Sequence, residues 1–335
     1  MGLSGLRDSA PAKVNLCLFL GPTRADGLHD VVSVVEPVTL ADVLTLEARE
    51  SAEDPPPVAA ASGVAGPVQD EVICPGVAGD NLAARALRVF RERAGWDAAP
   101  QRLRIDKHVP VAAGMGGGSG DAAAALRLAA HAAAADPAAA TTAAGSPGTV
   151  HPAAAEAATI ARELAPGLGA DVPVQLLARP ALMEGAGERV TALGRPLPPH
   201  DLVVVPSRHH LSTPAVYAEA DRLGLPRDPA GLHERRAALL ATLERGDLLA
   251  AGAGLLHNDL APAARALCPG VAEALRALER TRPVAALVAG SGPTTFAVYT
   301  DPARARHAAA AIPGAILTAP APPEVTAVHL AAPAA

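Results

Sequence analysis

The segment with the strongest chemical signal is a glycine-rich turn that joins a short predicted strand to a predicted helix. It covers residues 110–120 and reads PVAAGMGGGSG. The first turn of a helix carries unpaired N–H groups and the positive end of the helix dipole, which together bind phosphate. Ser119 is expected to be the N-cap of this helix, with a hydroxyl placed to reach a phosphate or Mg²⁺. The spacing matches neither a Walker A loop nor a dinucleotide-binding loop, and a turn that serves only helix entry remains an alternative.

Lysine is rare in this chain: Lys13 and Lys107 are two of 28 basic residues, and the others are arginine. Because side chains alternate along a strand, Lys13 shares one face of a predicted strand over residues 12–20 with Asn15. Arginine replaces lysine easily at solvent-exposed positions, but poorly where a compact ammonium must fit a tight site. The scarcity therefore marks Lys13, and Lys107 just before the glycine-rich turn, as candidate site residues. A solvated surface charge is the alternative.

Two further turns combine flexible backbone with polar side chains. Asp171 lies in the segment LGADVP, residues 168–173, where an aspartate is ordinarily a turn former or a helix cap. The turn AGSGPT, residues 289–294, separates two apolar predicted strands, and its glycine backbone can approach a ligand closely. A simple hairpin corner is the other interpretation. The residues alone leave both turns open between a structural and a functional role.

The composition excludes several classes of protein. Half of the residues are hydrophobic and 19% are charged, which excludes a wholly disordered chain. The net charge of −6 without a basic block disfavours a nucleic-acid partner, and the alanine-rich runs are too interrupted for a membrane span. Cys17, Cys74 and Cys268 are far apart, so we expect buried reduced thiols and neither disulfides nor a metal site. The N-terminal residues lack a signal-peptide pattern, so a cytoplasmic location is expected.

The predicted elements indicate an α+β protein with two domains, 1–195 and 196–335, because 335 residues can form two cores. The boundary falls at the proline-rich segment RPLPPH. Strands are predicted over 12–20, 31–48 with a break at Pro37, 102–107, near 181–193, 201–206, 284–289 and 295–299, with one more closing the chain. Helices are predicted over 81–94, 119–134, 155–165, 213–223, 230–245, 271–280 and 302–311. The stretches 51–68 and 136–154 are expected to be surface insertions.

In this order, the four segments resemble the GHMP kinases. The shared patterns are P-A-K-x-N at 11–15, P-x₃-G-M-x-G-G-S at 110–119 and G-S-G at 290–292. The stretches similar to one branch, the 4-diphosphocytidyl-2-C-methyl-D-erythritol kinases, are RADGLH at 24–29, GDNL at 79–82 and GADVP at 169–173. The resemblance implies an α+β, two-domain GHMP kinase fold, with a ribosomal protein S5 domain 2-like N-terminal domain and a ferredoxin-like C-terminal domain.

By resemblance, the chain would transfer the γ-phosphoryl group of ATP, with Mg²⁺, to the 2-hydroxyl of 4-diphosphocytidyl-2-C-methyl-D-erythritol, a step of non-mevalonate isoprenoid synthesis. The catalytic residues implied are Lys13 and Asp171. The residues implied at ATP are Asn81, Leu82, Lys107, Pro110, Gly114, Met115, Gly116, Gly117, Gly118, Ser119 and Gly120. Those implied at the alcohol substrate are Asn15, Leu28, His29, Asp171, Thr213, Pro214, Tyr217, Gly290, Ser291 and Gly292.

Two departures from the family pattern affect these expectations. Leu28 occupies a position that is often aromatic, so stacking on the cytosine is expected from Tyr217 alone, with Leu28 as an apolar lid. Cytidine selectivity would then depend on hydrogen bonds from His29 and nearby backbone. Asp121 is an acid beside the phosphates and is expected to face Mg²⁺ or solvent.

The expected partner is a small molecule, with no nucleic acid and no membrane, while monomer and homodimer both stay open. No side chain is assigned as a metal ligand. Two alternatives to the leading function are kept: a GHMP kinase of the mevalonate or homoserine type, and a catalytically silent nucleotide-binding protein. A coupled ADP assay with the three alcohols distinguishes them.

Overall fold

The computed structural model describes residues 5–49, 69–77, 80–111, 113–135 and 153–331. Within these ranges the chain forms two β-sheets and nine α-helices. The predicted insertion 51–68 and most of the insertion 136–154 lie outside the described residues, and Ala154 begins a helix.

The strands are β1 (Leu6–Thr23), β2 (His29–Ala48), β3 (Glu71–Ile73), β4 (Gln101–Asp106), β5 (Ala181–Gly185), β6 (Arg189–Ala192), β7 (Asp201–Val205), β8 (Ala285–Val288), β9 (Thr295–Tyr299), β10 (Ile316–Thr318) and β11 (His329–Leu330). The helices are α1 (Leu82–Ala94), α2 (Gly117–Ala135), α3 (Ala154–Leu168), α4 (Val172–Leu177), α5 (Thr213–Arg222), α6 (Pro229–Arg245), α7 (Ala261–Leu267), α8 (Pro269–Glu279) and α9 (Pro302–Ala311). Every predicted helix and strand is present in the structure, whereas β3, β11, α4 and α7 were not predicted.

The first sheet is built on the antiparallel hairpin of β1 and β2. Strands β5 and β4 pair with the first and second halves of β2, β6 extends β5, β3 lies beside β4, and β11 pairs with β1. The break predicted at Pro37 is wrong, since β2 continues through it. Strand β5 pairs with β2 only up to Val35, and β4 pairs only from Val43 onward. Pro37 therefore lies in the gap between two partner strands, where a missing N–H is tolerated.

Helix α2 is the buried centre of the first half of the chain. After its glycine-rich start it is almost entirely alanine and leucine, and eleven of its residues are buried, so it packs on nearly every side. Its neighbours are α1, α3, α4 and β1. This packing holds the start of α2 beside β1, where the Lys13 N–H donates to the carbonyl oxygen of Met115 over 2.9 Å.

The second sheet has the strand order β10–β7–β9–β8, and each pair is antiparallel. Helices connect β7 to β8, and α9 connects β9 to β10, which is the β-α-β-β-α-β pattern of ferredoxin-like domains. The α+β class is therefore confirmed. The domain boundary after residue 195 falls between β6 and β7 and stays a prediction, while β11 returns to the first sheet. None of the helices in the described ranges is both long and apolar enough to cross a membrane.

Candidate active site

A cavity of about 490 Å³, here called the site cavity, lies where the two halves of the chain meet. It is lined by β1, α1, the glycine-rich turn and the start of α2, and by α5 and the β8–β9 turn from the second half. The predicted site residues that line it are Lys13, Asn15, Asn81, Leu82, Lys107, Pro110, Gly114, Gly116, Gly117, Gly118, Ser119, Asp171, Thr213, Tyr217, Gly290 and Ser291. A larger cavity of about 780 Å³ between α2 and α3 contains none of them. The convergence of predicted residues, rather than size, therefore identifies the site.

The glycine-rich turn leads directly into α2. The helix begins at Gly117, so the N-cap predicted at Ser119 is wrong. Gly116 ends the turn in a left-handed conformation with φ of +68°, and the glycines after it are already helical. The Gly120 N–H donates to the Gly116 carbonyl over 2.8 Å and closes the first helical turn. The three N–H groups before it precede the intrahelical bonds and are suited to an anion.

The glycine-rich turn packs closely against the β8–β9 turn, which belongs to the second half of the chain. Gly114 has φ of +74°, and a Cβ atom there would lie 2.5 Å from the Ala289 carbonyl oxygen and 2.6 Å from that of Gly292. Only glycine combines this conformation with this close backbone contact. One wall of the site cavity is therefore made by two turns from opposite halves of the chain.

Lys13 and Asp171, which are 158 positions apart in sequence, form an ion pair in the site cavity. The Lys13 Nζ lies 3.2 Å from Asp171 Oδ2, and the lysine side chain is 4% exposed against 28% for the aspartate. Asp171 occupies the N-cap position of α4, but its side chain makes no capping hydrogen bond. The carboxylate is therefore directed to the lysine and not to the helix N–H groups.

Asn15 fixes the orientation of the Lys13 ammonium. The Lys13 Nζ donates to Asn15 Oδ1 over 2.9 Å, and Asn15 Nδ2 donates to Ser33 Oγ over 2.8 Å. The Ser33 hydroxyl donates in turn to the Cys17 carbonyl over 2.6 Å. Because both ends of the Asn15 amide are engaged, its oxygen is held toward the lysine. Lys13, Asn15 and Asp171 are called the Lys13 cluster below.

Asn258, which was not predicted at the site, holds the β8–β9 turn against the Lys13 cluster. Its Nδ2 donates to the carbonyl oxygens of Val288 and Gly290, both over 2.8 Å, and its Oδ1 accepts from the Leu260 N–H over 2.9 Å. A Cβ atom on Gly290 would lie 3.4 Å from Lys13 Nζ. The asparagine thus sets the distance between the turn and the ammonium.

A partly buried tyrosine stands beside the Asp171 end of the site cavity. Burial, with the charge of Asp171 as the second cause, raises the pKa of Tyr217 to about 12, so its hydroxyl stays neutral. The Tyr217 ring lies 5.2 Å from the His29 ring, and His29 Nε2 is 2.7 Å from Asp221 Oδ1. At the start of α5, the Thr213 hydroxyl oxygen lies 3.0 Å from that of Ser291 in the β8–β9 turn. Aromatic and hydroxyl groups are thus available for a polar, ring-containing substrate.

Lys107 lies between two aspartates at the start of α2. Its Nζ donates to Asp42 Oδ2, and to Asp121 Oδ2 over 2.8 Å. Burial lowers the pKa of Lys107, but the two carboxylates outweigh burial and raise it overall. Burial raises the pKa of Asp121 to about 6, against the opposing effect of Lys107. Asp121 is 4% exposed, so of the two alternatives expected for it, solvent is wrong and Mg²⁺ stays a prediction. These three residues are called the Lys107 cluster.

Asp42 was missed by sequence reasoning, although a signal exists. It is a lone acid inside the apolar strand segment VTLADVLTL, and it is completely buried. An acid in such a position has to be paired. The sequence shows that a partner must exist, but not that the partner is a lysine 65 positions away.

Six predicted residues do not line the site cavity. They are Leu28, Met115, Gly120, Pro214, Gly292 and His29. Met115 is in the hydrophobic core, and Leu28 is 55% exposed. The Nε2 atom of His29 lies within hydrogen-bond distance of Thr23 Oγ1, at 3.1 Å, as well as of Asp221. The ligand contacts implied for these six residues stay predictions.

Comparisons with known proteins identify the family of the chain. The family description "GHMP kinases N terminal domain" matches residues 81–179, and "GHMP kinases C terminal" matches 237–316. Proteins named 4-diphosphocytidyl-2-C-methyl-D-erythritol kinase from Kineococcus radiotolerans and Rhodopseudomonas palustris are 38% and 39% identical to the chain. Each match covers 92% of this chain, and 85% and 92% of the respective relatives.

Solved structures show the same relationship. A crystal structure of 4-(cytidine 5'-diphospho)-2C-methyl-D-erythritol kinase matches 94% of this chain and all of its own, with a TM-score of 0.66 and 30% identity. A homoserine kinase from Cytophaga hutchinsonii shares the fold at 16% identity, with a TM-score of 0.63 over 97% of this chain and 98% of its own. By sequence and fold, the chain belongs to the 4-diphosphocytidyl-2-C-methyl-D-erythritol kinase family of the GHMP kinases.

Proposed function

We propose that this chain transfers the γ-phosphoryl group of ATP to the 2-hydroxyl of 4-diphosphocytidyl-2-C-methyl-D-erythritol, giving the 2-phosphate and ADP. The observation that carries the proposal is the 3.2 Å contact of Lys13 with Asp171, in a cavity that also contains the first turn of α2. A carboxylate and an ammonium beside an anion-binding helix terminus suit phosphoryl transfer to an alcohol. The relatives with 38% and 39% identity, and their names, select the alcohol.

Asp171 is proposed to orient the 2-hydroxyl and to accept its proton. A carboxylate is too weak a base to deprotonate an alcohol outright. It can take the proton late, as the bond from the hydroxyl oxygen to the γ-phosphorus forms and the bond to the ADP oxygen breaks. Positioning the hydroxyl in line with the leaving group is the larger part of its contribution.

Lys13 is proposed to keep Asp171 in place and to stabilise charge on the phosphoryl group in transfer. Its side chain is nearly buried, so its interactions are screened by water less than those of a surface lysine. Asn15 and Asp171 occupy two of its three N–H donors. The third is available for a phosphoryl oxygen, where it would lower the energy of the transition state.

The three N–H groups at the start of α2, with the helix dipole, are proposed to bind the ATP phosphates. Gly118 is open here, since a Cβ atom on it would meet nothing within 4 Å. The nucleoside end of ATP is proposed to lie toward Asn81 and Leu82, which line the same cavity. Asn81 caps α1 by accepting from the Ala83 N–H over 2.9 Å, so this part of the wall is fixed.

Mg²⁺ is proposed to accompany ATP, and the residues present fit it. Mg²⁺ binds one or two carboxylates together with phosphates, so a large protein ligand set is not required. Asp121 Oδ1 is a buried carboxylate oxygen that has no hydrogen-bond partner among the described residues. Asp121 and the Ser119 hydroxyl would hold the ion. When bound, Mg²⁺ neutralises part of the phosphate charge.

At the alcohol end, Tyr217 is proposed to stack on the cytosine, and Thr213, Ser291 and Asn15 to bind polar groups of the substrate. The tyrosine is neutral and lines the site cavity together with Asp171. Stacking on one side of the base, with hydrogen bonds at its edge, is compatible with recognition of a pyrimidine.

The test is coupled ADP release with three alcohols: 4-diphosphocytidyl-2-C-methyl-D-erythritol, mevalonate and homoserine. We expect turnover with the first alone, and its loss in the Asp171→Ala variant. Equal or faster turnover with mevalonate or homoserine would reassign the substrate. ATP binding without turnover on any of the three would identify a silent nucleotide-binding protein.

A further inference from the structure

Asp42 is a buried carboxylate that clamps the segment leading into the glycine-rich turn. It lies in β2 with no exposed surface. Its Oδ1 accepts from the N–H groups of His108 and Val109 over 2.6 and 2.8 Å, and its Oδ2 accepts from Lys107 Nζ. Burying a carboxylate is unfavourable unless it is paired. All of these bonds come from three consecutive residues, so Asp42 fixes both their backbone and the lysine side chain.

The clamp places the Lys107 ammonium at the first turn of α2. A Cβ atom on Gly117, the first residue of the helix, would lie 3.5 Å from Lys107 Nζ. Asp121, one turn further along α2, accepts from the same ammonium over 2.8 Å. Two carboxylates, one from the sheet and one from the helix, therefore hold the ammonium beside the N–H groups that suit phosphate.

The distribution of cationic side chains around the site cavity indicates the role of the Lys107 ammonium. Among the described residues that line the cavity, the cationic side chains are Lys13 and Lys107. Lys13 is already engaged by Asp171 and Asn15. Lys107 uses two of its three N–H donors on Asp42 and Asp121. The third donor of Lys13 is proposed for the phosphoryl group in transfer, so the third donor of Lys107, beside the helix terminus, is left for the rest of the phosphate chain of the nucleotide.

We infer that Asp42 is a positioning residue for ATP, which acts through Lys107 by holding the ammonium at the phosphate-binding turn before the nucleotide arrives. The inference rests on the proposed function only in that ATP is the nucleotide. A free lysine side chain would lose rotamer freedom when ATP binds, and that loss would weaken binding. An ammonium held by two carboxylates has lost this freedom on folding. The expected benefit is an approximately tenfold lower Kd for ATP, which is about 1.4 kcal/mol.

The test compares wild type with Asp42→Asn, Lys107→Met and the double variant. An amide at position 42 keeps an oxygen for the two backbone N–H groups but presents an N–H donor, instead of an acceptor, to Lys107. We expect each single variant to raise the Kd of ATP, measured by titration calorimetry without alcohol, by about tenfold. The KM of the alcohol should stay within about twofold. The double variant should bind ATP no more weakly than Lys107→Met, because Asp42 acts through the lysine.

Asp8→Asn is the matched control for burial. Asp8 is also a buried carboxylate paired with a cation, since Arg127 Nε donates to it over 2.7 Å, but it does not line the site cavity. This control should lose stability in thermal unfolding and keep the wild-type Kd for ATP. A general effect of removing a buried charge would raise the Kd in both aspartate variants, and the inference would fail.

Two further outcomes overturn the inference. One is a folded Asp42→Asn variant with the wild-type Kd for ATP. The other is a Kd that rises tenfold again when Asp42→Asn is added to Lys107→Met, because Asp42 would then act independently of the lysine. If Asp42→Asn does not fold, Asp42→Glu is tested in its place. The extra methylene group of glutamate displaces the Lys107 ammonium, so the Kd for ATP is again expected to rise about tenfold. The Kd for ATP is measured without the alcohol. A wrong assignment of the alcohol substrate would therefore leave this test unaffected, and the two failures can be told apart.

Discussion

The two lysines of the chain stand in opposite electrostatic surroundings within one cavity. In the Lys13 cluster, one ammonium meets one carboxylate and one amide, so the formal charges cancel. In the Lys107 cluster, one ammonium meets two carboxylates, so the ionised cluster carries a formal charge of −1. The side chains also differ in exposure, at 4% for Lys13 and 13% for Lys107.

This difference separates two tasks. The Lys13 cluster contains the more exposed carboxylate, Asp171, which can meet a substrate hydroxyl while Lys13 supplies compensating charge. In the Lys107 cluster both carboxylates are at most 6% exposed and pair with the ammonium, so we expect them to orient it rather than to meet a reacting hydroxyl. We therefore expect changes in the Lys13 cluster to lower kcat, and changes in the Lys107 cluster to alter ATP affinity or stability.

Asp171→Asn should lower kcat about 1,000-fold, within the range measured for loss of a proton-transfer group. An amide of the same shape can still contact the substrate but cannot accept its proton. The Kd for ATP should stay within about threefold, because the N–H groups at the start of α2 are unchanged. Coupled ADP release and titration calorimetry measure the two quantities. A variant that kept wild-type kcat would remove Asp171 from the chemistry.

Replacing each lysine by arginine tests the comparison directly. Lys13→Arg should lower kcat about 100-fold, since removing one preorganised donor has effects of this size. Its surroundings are tight: Cβ atoms on Gly116 and Gly290 would lie 3.1 Å from Lys13 Cε and 3.4 Å from Nζ. Lys107→Arg should change kcat by less than about fivefold, because a guanidinium can pair with two carboxylates.

Steady-state kinetics of the two arginine variants, side by side, measure this contrast. Thermal unfolding of both variants serves as the control for folding. Equal losses of kcat would mean that the two lysines share one role. Near wild-type activity in Lys13→Arg would show that the scarcity of lysine in this chain is a coincidence of composition.

The contrast also shows how far sequence reasoning reaches. The Lys13 face of β1, the glycine-rich turn and α2 follow from alternation, turn chemistry and helix periodicity, which are local. The link from Asp42 to Lys107 crosses from β2 to the end of β4, and no local pattern encodes it. Short elements such as α4 and β11 escaped prediction because they are held by tertiary packing rather than by their own periodicity. Pairings between distant segments therefore required the structure.

Asn258→Ala should lower kcat about tenfold, which places it between the two lysine replacements. The carbonyl oxygens of Val288 and Gly290 would lose their donor, and the β8–β9 turn would no longer be fixed against Lys13. Stability should fall by about 1–3 kcal/mol, because buried acceptors are left without partners. Kinetics and chemical denaturation measure the two effects.

Thr281→Val is a matched control for Asn258→Ala in the same half of the chain. Thr281 makes partly buried hydrogen bonds with the Leu278 carbonyl and the Tyr299 hydroxyl, and it does not line the site cavity. It should lose stability with kcat unchanged. If both variants lost kcat in proportion to stability, Asn258 would be a structural residue without a positioning role.

The surplus carboxylate of the Lys107 cluster should make stability depend on pH. Burial raises the pKa of Asp121 from 3.8 to about 6 in the folded chain. The stabilising contribution of this group is therefore fully present below pH 3.8, and it is lost as the pH rises through about 6. The neutral isostere in Asp121→Asn does not titrate. Relative to wild type, the variant should thus gain about 1–3 kcal/mol of unfolding free energy between pH 4 and pH 7.5.

Urea denaturation of both proteins at intervals across this pH range measures the difference. His200 also titrates here: burial lowers its pKa, but the hydrogen bond and charge of Glu36 outweigh burial and raise it overall. That contribution is lost as the pH rises through the raised pKa, but it is common to both proteins and cancels in the difference. Parallel stability curves would mean that Asp121 titrates normally, with its charge fully balanced by Lys107. The Lys107 cluster would then keep its formal charge of −1, but that charge would not destabilise the fold, and the energetic contrast with the Lys13 cluster would disappear.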